Sequence, residues 1–141
     1  MRVAVGVQYD GAGFQGWQAQ RPGVRTVQTV LEQALTRVAD HPVRLVCAGR
    51  TDAGVHGVGQ VAHFDANAVR SARNWVLGGN AHLPMDLSLS WAREVPGDFH
   101  ARFSALARRY RYLILNQPHR SALWRGRAAW CYRPLELRWT Q

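Results

Sequence analysis

Runs in the order strand, helix, strand, strand, helix, strand predict an α+β fold for residues 1–98. That order is the split βαβ, ferredoxin-like arrangement around an antiparallel sheet. Three features carry the prediction. Val3, Val5 and Val7 alternate with small or polar residues, the two-residue period of a strand. Val27, Val30, Leu31, Ala34, Leu35 and Val38 recur at steps of three and one, a continuous apolar stripe along a helix. Two apolar runs, Val43 to Cys47 and Val61 to Phe64, enclose a glycine-rich connection.

In chain order, Asp10 to Pro22 reads as a Gly-rich loop holding Phe14 and Trp17, both expected in the core. Thr26 is placed to cap the first helix, and Asp40-His41-Pro42 to end it. Val43 to Ala48 reads as a buried strand and Gln60 to Asp65 as the next. A second helix is expected from Ser71 through Trp75, closed by Gly78-Gly79. Leu83-Pro84 starts a turn, and Leu87 to Val95 forms a strand. Beyond Pro96-Gly97 the character changes. Phe99 to Ala105 is a basic connector, Arg109 to Asn116 an alternating strand, Ala128 to Tyr132 a short strand, and Leu135 the opening of a helix. The expected division is therefore 1–98, an α/β domain, and 99–141, a basic connector with strands leading toward a second domain.

Composition narrows the partners. The chain has 141 residues, 47% hydrophobic, enough for one domain with a substantial core. Its formal net charge is +9, and every basic residue is Arg. A G+C-rich genome favours Arg codons, but the distribution is uneven. Residues 1–98 hold nine Arg and eight acids, whereas 99–141 hold nine Arg and only Glu136. A basic segment of this kind suits a polyanion, and Arg adds a planar fork for phosphate. No long basic amphipathic helix favours a membrane surface, and no apolar run is long enough to span one. Cys47 and Cys131 make no disulfide framework and are expected as reduced core thiols. The N-terminus leads directly into a strand without a signal-peptide pattern, so a cytoplasmic protein is expected.

The connection from Ala48 to Gln60 holds the principal chemistry. Gly49, Gly54, Gly57 and Gly59 allow sharp turns, and Asp52 lies two residues after Arg50. Taken alone, this spacing fits a capped turn neutralised by Arg50. The run GRTDAGVH (Gly49 to His56), however, resembles the signature loop of the tRNA pseudouridine synthase A family. FQGWQ (Phe14 to Gln18), FHARFSA (Phe99 to Ala105) and RRYRY (Arg108 to Tyr112) extend the likeness in the family's order and spacing.

The resemblance implies a tRNA-modifying isomerase that converts uridine to pseudouridine in the anticodon stem-loop, with tRNA as partner and no metal or cofactor. It implies Asp52 as nucleophile and Arg50 as the residue that holds the flipped nucleotide or fills its place, although a simple ion pair with Asp52 stays open. It implies Tyr110 as the ring that stacks on the target base and moves a proton at C5. Tyr112 is expected in the core. Arg102, Arg108, Arg109 and Arg111 are candidate phosphate contacts. The spacing Cys47-x8-His56-x6-His63 matches no zinc pattern. Family members are homodimers about twice this length, and their second half supplies a basic residue that pairs with the Asp. The 141-residue piece alone is therefore expected to be nearly inactive. The competing classes are a non-catalytic RNA-binding module of the same topology and a basic assembly protein. The first gains nothing from a carboxylate facing phosphates, and the second does not need the fixed spacing of Asp52 and Tyr110. The inner strands also lack the paired aromatics of RNA-recognition domains.

Overall fold

The first strand, β1 (Arg2–Tyr9), is the axis of the main sheet. The computed structural model describes residues 1–137. Val3, Val5 and Val7 point to one face, and all are buried. Helix α1 (Val27–Ala39) begins at Thr26, whose side chain accepts from the Thr29 amide, and ends at Asp40 in the left-handed region. Strands β2 (Val46–Cys47) and β3 (Gly57–Asp65), helix α2 (Ala72–Ala81) and strand β4 (Leu87–Val95) follow. The four strands lie in the order β2-β3-β1-β4 with every neighbouring pair antiparallel. The result is an α+β architecture with a four-stranded antiparallel sheet and two helices.

The core lies between that sheet and the helices. Val3, Val5 and Val7 meet Leu31 and Leu35 of α1, Trp75 of α2, Phe64 of β3 and Leu87 and Leu89 of β4. Trp75 packs edge-on to Phe64 with ring centroids 5.0 Å apart. Phe14 and Trp17 join the same cluster, as expected.

Several elements differ from expectation for identifiable reasons. The Val43–Ala48 strand shrinks to two residues. The Val43 amide donates to Thr36 Oγ1 at 3.0 Å and the Leu45 amide to Glu32 Oε2 at 2.8 Å. Side chains of α1 thus take donors that a longer sheet ladder would have used. Strand β3 starts at Gly57 rather than Gln60, so Gly57 and Gly59 belong to a strand and not to the loop. Helix α2 runs through Gly78-Gly79 instead of stopping there. A Cβ on Gly79 would lie 2.5 Å from Leu89 Cδ1, so this glycine lets the helix approach β4 closely.

By contacts, the chain divides into two compact units, Met1–Arg108 and Arg109–Gln141. The first includes the 99–108 segment. The Ala101 amide donates to His63 Nδ1 at 3.0 Å, and Arg2 Nη1 donates to the Phe99 carbonyl at 2.6 Å. The second unit carries a parallel pair, β5 (Ile114–Asn116) with β6 (Ala129–Cys131). The expected strand from Arg109 is therefore confined to its last three residues, because β6 offers only three partners. Tyr112, expected in the core, is 81% exposed. Cys47 is buried, whereas Cys131 is only half-buried; both are free thiols. Residues 135–137 are not helical, and the rest of the expected terminal helix lies outside the described residues. Among the described residues, no helix is long and apolar enough to cross a membrane.

Truncating the fully buried Leu31 to Ala is expected to lower unfolding free energy by about 2–5 kcal/mol. An exposed helical Gly→Ala change would gain about 1 kcal/mol. Gly79→Ala is instead expected to reduce stability, because its Cβ overpacks Leu89. Urea denaturation of the two variants measures both effects.

Candidate active site

The turn around Asp52 is built on a second loop. The Trp17 amide donates to the Thr51 carbonyl at 3.0 Å, and the Gly54 amide to the Phe14 carbonyl at 3.4 Å. Gly16 sits between these bonds at φ +85, and a Cβ there would come within 2.8 Å of the Thr51 carbonyl oxygen. That position combines a left-handed backbone with close approach, which suits glycine. The sequence FQGWQ therefore supplies two core aromatics and a backbone saddle for the Asp52 turn. The Val55 amide closes that turn on the Asp52 carbonyl at 3.1 Å.

Side chains brace the loop from beneath. Tyr9 at the end of β1 shares a 2.8 Å hydrogen bond with Thr51 Oγ1. Its ring lies where a Cβ on Gly57 would be, 2.4 Å from the nearest ring carbon, so Gly57 leaves room for that ring. The Gly11 amide donates to His56 Nδ1 at 2.9 Å, and His56 lies 3.3 Å from Asp10. Gln60 Nε2 reaches back to the Gly49 carbonyl at 2.6 Å. The supporting loop is pinned in turn by Arg25, which meets Asp86 through two 2.9 Å bonds and lies 4.0 Å over the Phe14 ring. The hydrogen bond from Arg25 holds the Asp86 carboxyl below its ordinary range.

Asp52 itself is exposed, as is Arg50. Among the described residues, no ion pair within 4 Å joins them; carboxylates meet guanidinium groups at Arg2–Asp65 and Arg25–Asp86. The Arg50 charge is felt instead at Cys47. Burial pushes the Cys47 thiol up in pKa, and the positive charges of Arg50 and, more weakly, Arg102 oppose that rise. Arg108 Nε donates to the Ala48 carbonyl at 2.7 Å, and its Nη2 donates to the Arg102 carbonyl at 3.0 Å. Arg50, Arg102 and Arg108 thus gather at the start of the Asp52 loop. Arg108 also ties that start to the 99–108 segment. Arg109, Tyr110 and Arg111 lie in the other unit, all exposed, with Tyr110 68% accessible.

His63 anchors the 99–108 segment from the sheet face opposite the helices. An amide can only donate, so Nδ1 must be unprotonated to accept from Ala101. Burial lowers the His63 pKa, and the charges of Arg2 and His100 lower it further. The sequence shows no zinc spacing for His56 and His63 and assigns no role to Tyr9. Only the tertiary contacts reveal them as supports of the candidate site. Among the described residues, no group of three or more His, Cys, Asp or Glu is arranged to hold a metal ion.

Gly16→Ala is expected to destabilise the protein by about 1–3 kcal/mol and to expose the Trp17 amide to faster hydrogen exchange. His63 has a lowered folded pKa, so its contribution is fully present above the unfolded value of about 6.5 and is lost as pH falls below it. The thermal midpoint should drop between about pH 7 and 5. His63→Gln should flatten that drop in a calorimetric series.

A family model described as tRNA pseudouridine synthase matches residues 6–104. The chain is 57% identical over 136 residues to tRNA pseudouridine synthase A of Alcanivorax borkumensis, which covers 96% of this chain and 51% of that relative. It is 58% identical over 137 residues to the protein of the same name from Methylococcus capsulatus, covering 97% and 50%. For the Pseudomonas aeruginosa protein of that name the identity is 53% over 136 residues, covering 96% and 48%. The chain spans about half the length of the curated relatives it matches. With its Asp52 loop inside the matched region, this chain belongs to the tRNA pseudouridine synthase family.

Proposed function

We propose that the protein isomerises uridine to pseudouridine in tRNA, in the anticodon stem-loop, with Asp52 as the attacking carboxylate. The observation that carries this is an exposed, unpaired carboxylate on a turn locked from below, within the family-matched region. A structural turn aspartate would be expected to use its oxygens on its own backbone or on Arg50.

Chemically, the N1–C1′ bond of uridine must break and a C5–C1′ bond must form. The carboxylate attacks the nucleotide either at C1′, displacing uracil with the bonding pair on N1, or at C6 of the ring; both routes use Asp52. On the C1′ route the freed base turns and C5 displaces the carboxylate from C1′; on the C6 route the N1–C1′ bond breaks within the adduct, the base turns, C5 bonds to C1′, and the carboxylate leaves C6 by elimination. On either route C5 loses its proton and N1 gains one. We assign that C5 proton transfer, and stacking on the base, to Tyr110. Uridine must leave its stack to reach the loop, and Arg50 is assigned to the flipped nucleotide or the gap it leaves. Arg102, Arg109 and Arg111 contact phosphates, as does Arg108 through the part of its guanidinium not bonded to Ala48 and Arg102.

The strand order β2-β3-β1-β4, with a helix between β1 and β2 and another between β3 and β4, supports a ferredoxin-like assignment for residues 1–98. We further infer that 99–141 leads into a second domain. A basic partner for Asp52 comes from the additional length seen in the relatives, and the whole protein works as a cytoplasmic homodimer.

Full-length protein should release tritium from C5-labelled uridine in tRNA. Asp52→Ala should abolish release while leaving tRNA affinity within about threefold, since sequence-independent affinity resides in the arginines. Equal release by the variant would remove Asp52 from the chemistry.

A further inference from the structure

The Arg109–Gln141 unit contains a cavity of about 330 Å³. Leu115, Trp124 and Trp130 line it, together with Arg120, Ser121 and Arg125. This is near the small end of ligand pockets, about 300–1,000 Å³, and suits one flat ring system.

The cavity is framed by its own hydrogen bonds. Trp130 Nε1 donates to the Gln117 carbonyl at 3.0 Å, which fixes that indole. The Trp124 amide donates to Ser121 Oγ at 3.2 Å, so the hydroxyl proton remains available for a guest. The Arg127 and Ala128 amides both close on the Trp124 carbonyl, at 3.0 and 3.1 Å. Arg125 Nη1 donates to the carbonyl of Ala122, another lining residue. Both indoles are about half exposed, Trp124 49% and Trp130 47%. Among the described residues, no acidic side chain lines the cavity to neutralise its arginines.

Half-exposed indoles give a stacking surface for a flat base of any sequence. Uncompensated guanidinium groups and a free hydroxyl proton suit phosphate oxygens. The same charges disfavour a metal ion or a basic peptide. We propose that this cavity is a further RNA contact that takes one unpaired nucleotide, with its base on the indoles and its phosphate on Arg120 and Ser121. The inference rests on the reading of RNA as substrate. It assigns the segment from Gln117 to Trp130 a binding role separate from the Asp52 chemistry.

The probe is a short single-stranded oligouridylate titrated into the full-length protein. Arg120→Ala should weaken binding and lower the slope of log affinity against log salt by about 0.7, one phosphate contact on a single strand. Trp124→Ala should weaken it about tenfold, with Trp124→Phe keeping most of the affinity. Both should raise the KM for tRNA and leave kcat unchanged, whereas Asp52→Ala should leave oligouridylate binding intact. Unchanged affinity, salt slope and KM in a folded Arg120→Ala variant would overturn the inference. So would indoles shielded from iodide quenching in the free full-length protein, the sign that polypeptide fills the cavity. If oligouridylate binding depends on Arg120 while no pseudouridine forms, the pocket stands and the enzymatic assignment fails.

Discussion

The geometry of the candidate site depends on one backbone cross-brace. The Trp17 amide meets the Thr51 carbonyl and the Gly54 amide meets the Phe14 carbonyl, with Gly16 between them. Phe14 and Trp17 are buried in the main core, so the brace is anchored by the same apolar cluster that holds sheet and helices together. An exposed carboxylate on an unsupported loop would sample many positions. Here the entropy of ordering the turn is offset mainly by burial of two large aromatic rings several residues away in space. Rigid support beneath a reactive side chain is what a site needs if its geometry is to be set before substrate arrives.

The electrostatics around this brace separate two kinds of arginine. Arg2 and Arg25 each meet a carboxylate through paired hydrogen bonds and act as pins, at the far end of β3 and on the supporting loop. Among the described residues, Arg50 and Arg102 have no carboxylate within ion-pair distance, and the bonds of Arg108 go to carbonyls. The acids of residues 1–98 are thus used partly to hold structure, while the positive charge nearest Asp52 is left available to a polyanion. In the Arg109–Gln141 unit the same surplus surrounds a cavity faced by two indoles. Charge without a partner inside the fold is what connects the catalytic proposal to the nucleotide pocket.

His63 couples this arrangement to the sheet. Its ring faces away from the helices and accepts the Ala101 amide, so the FHARFSA segment closes over the outer face of β3 instead of trailing as a connector. Arg2 holds the Phe99 carbonyl, and Arg108 reaches Ala48 at the other end. The segment from Phe99 to Arg108 is therefore a strap between the sheet and the Asp52 loop, neutral at its histidine contact and cationic where it nears the loop.

Periodicity in the sequence was enough to locate β1 and α1, whose valines and leucines recur on the side that meets the core, and β4 keeps the bounds read for it. The Thr26 cap and the start of the second helix at Ser71 were also legible, and the structure adds that Ser71 caps that helix. The Asp52 loop was recognisable by its glycine spacing and family likeness. Other features depended on non-local contacts. Glu32 and Thr36 shorten β2 by taking its amide donors, and Leu89 explains why Gly79 sits inside α2. Tyr110 and Tyr112 alternate like strand residues, yet among the described residues no ladder partner reaches them and both are exposed. The roles of Tyr9, Gly16 and His63 arise from partners 42, 35 and 38 residues away. A pattern along the chain records which faces are apolar; only folding decides which amides, carbonyls and rings those faces bring within bonding distance.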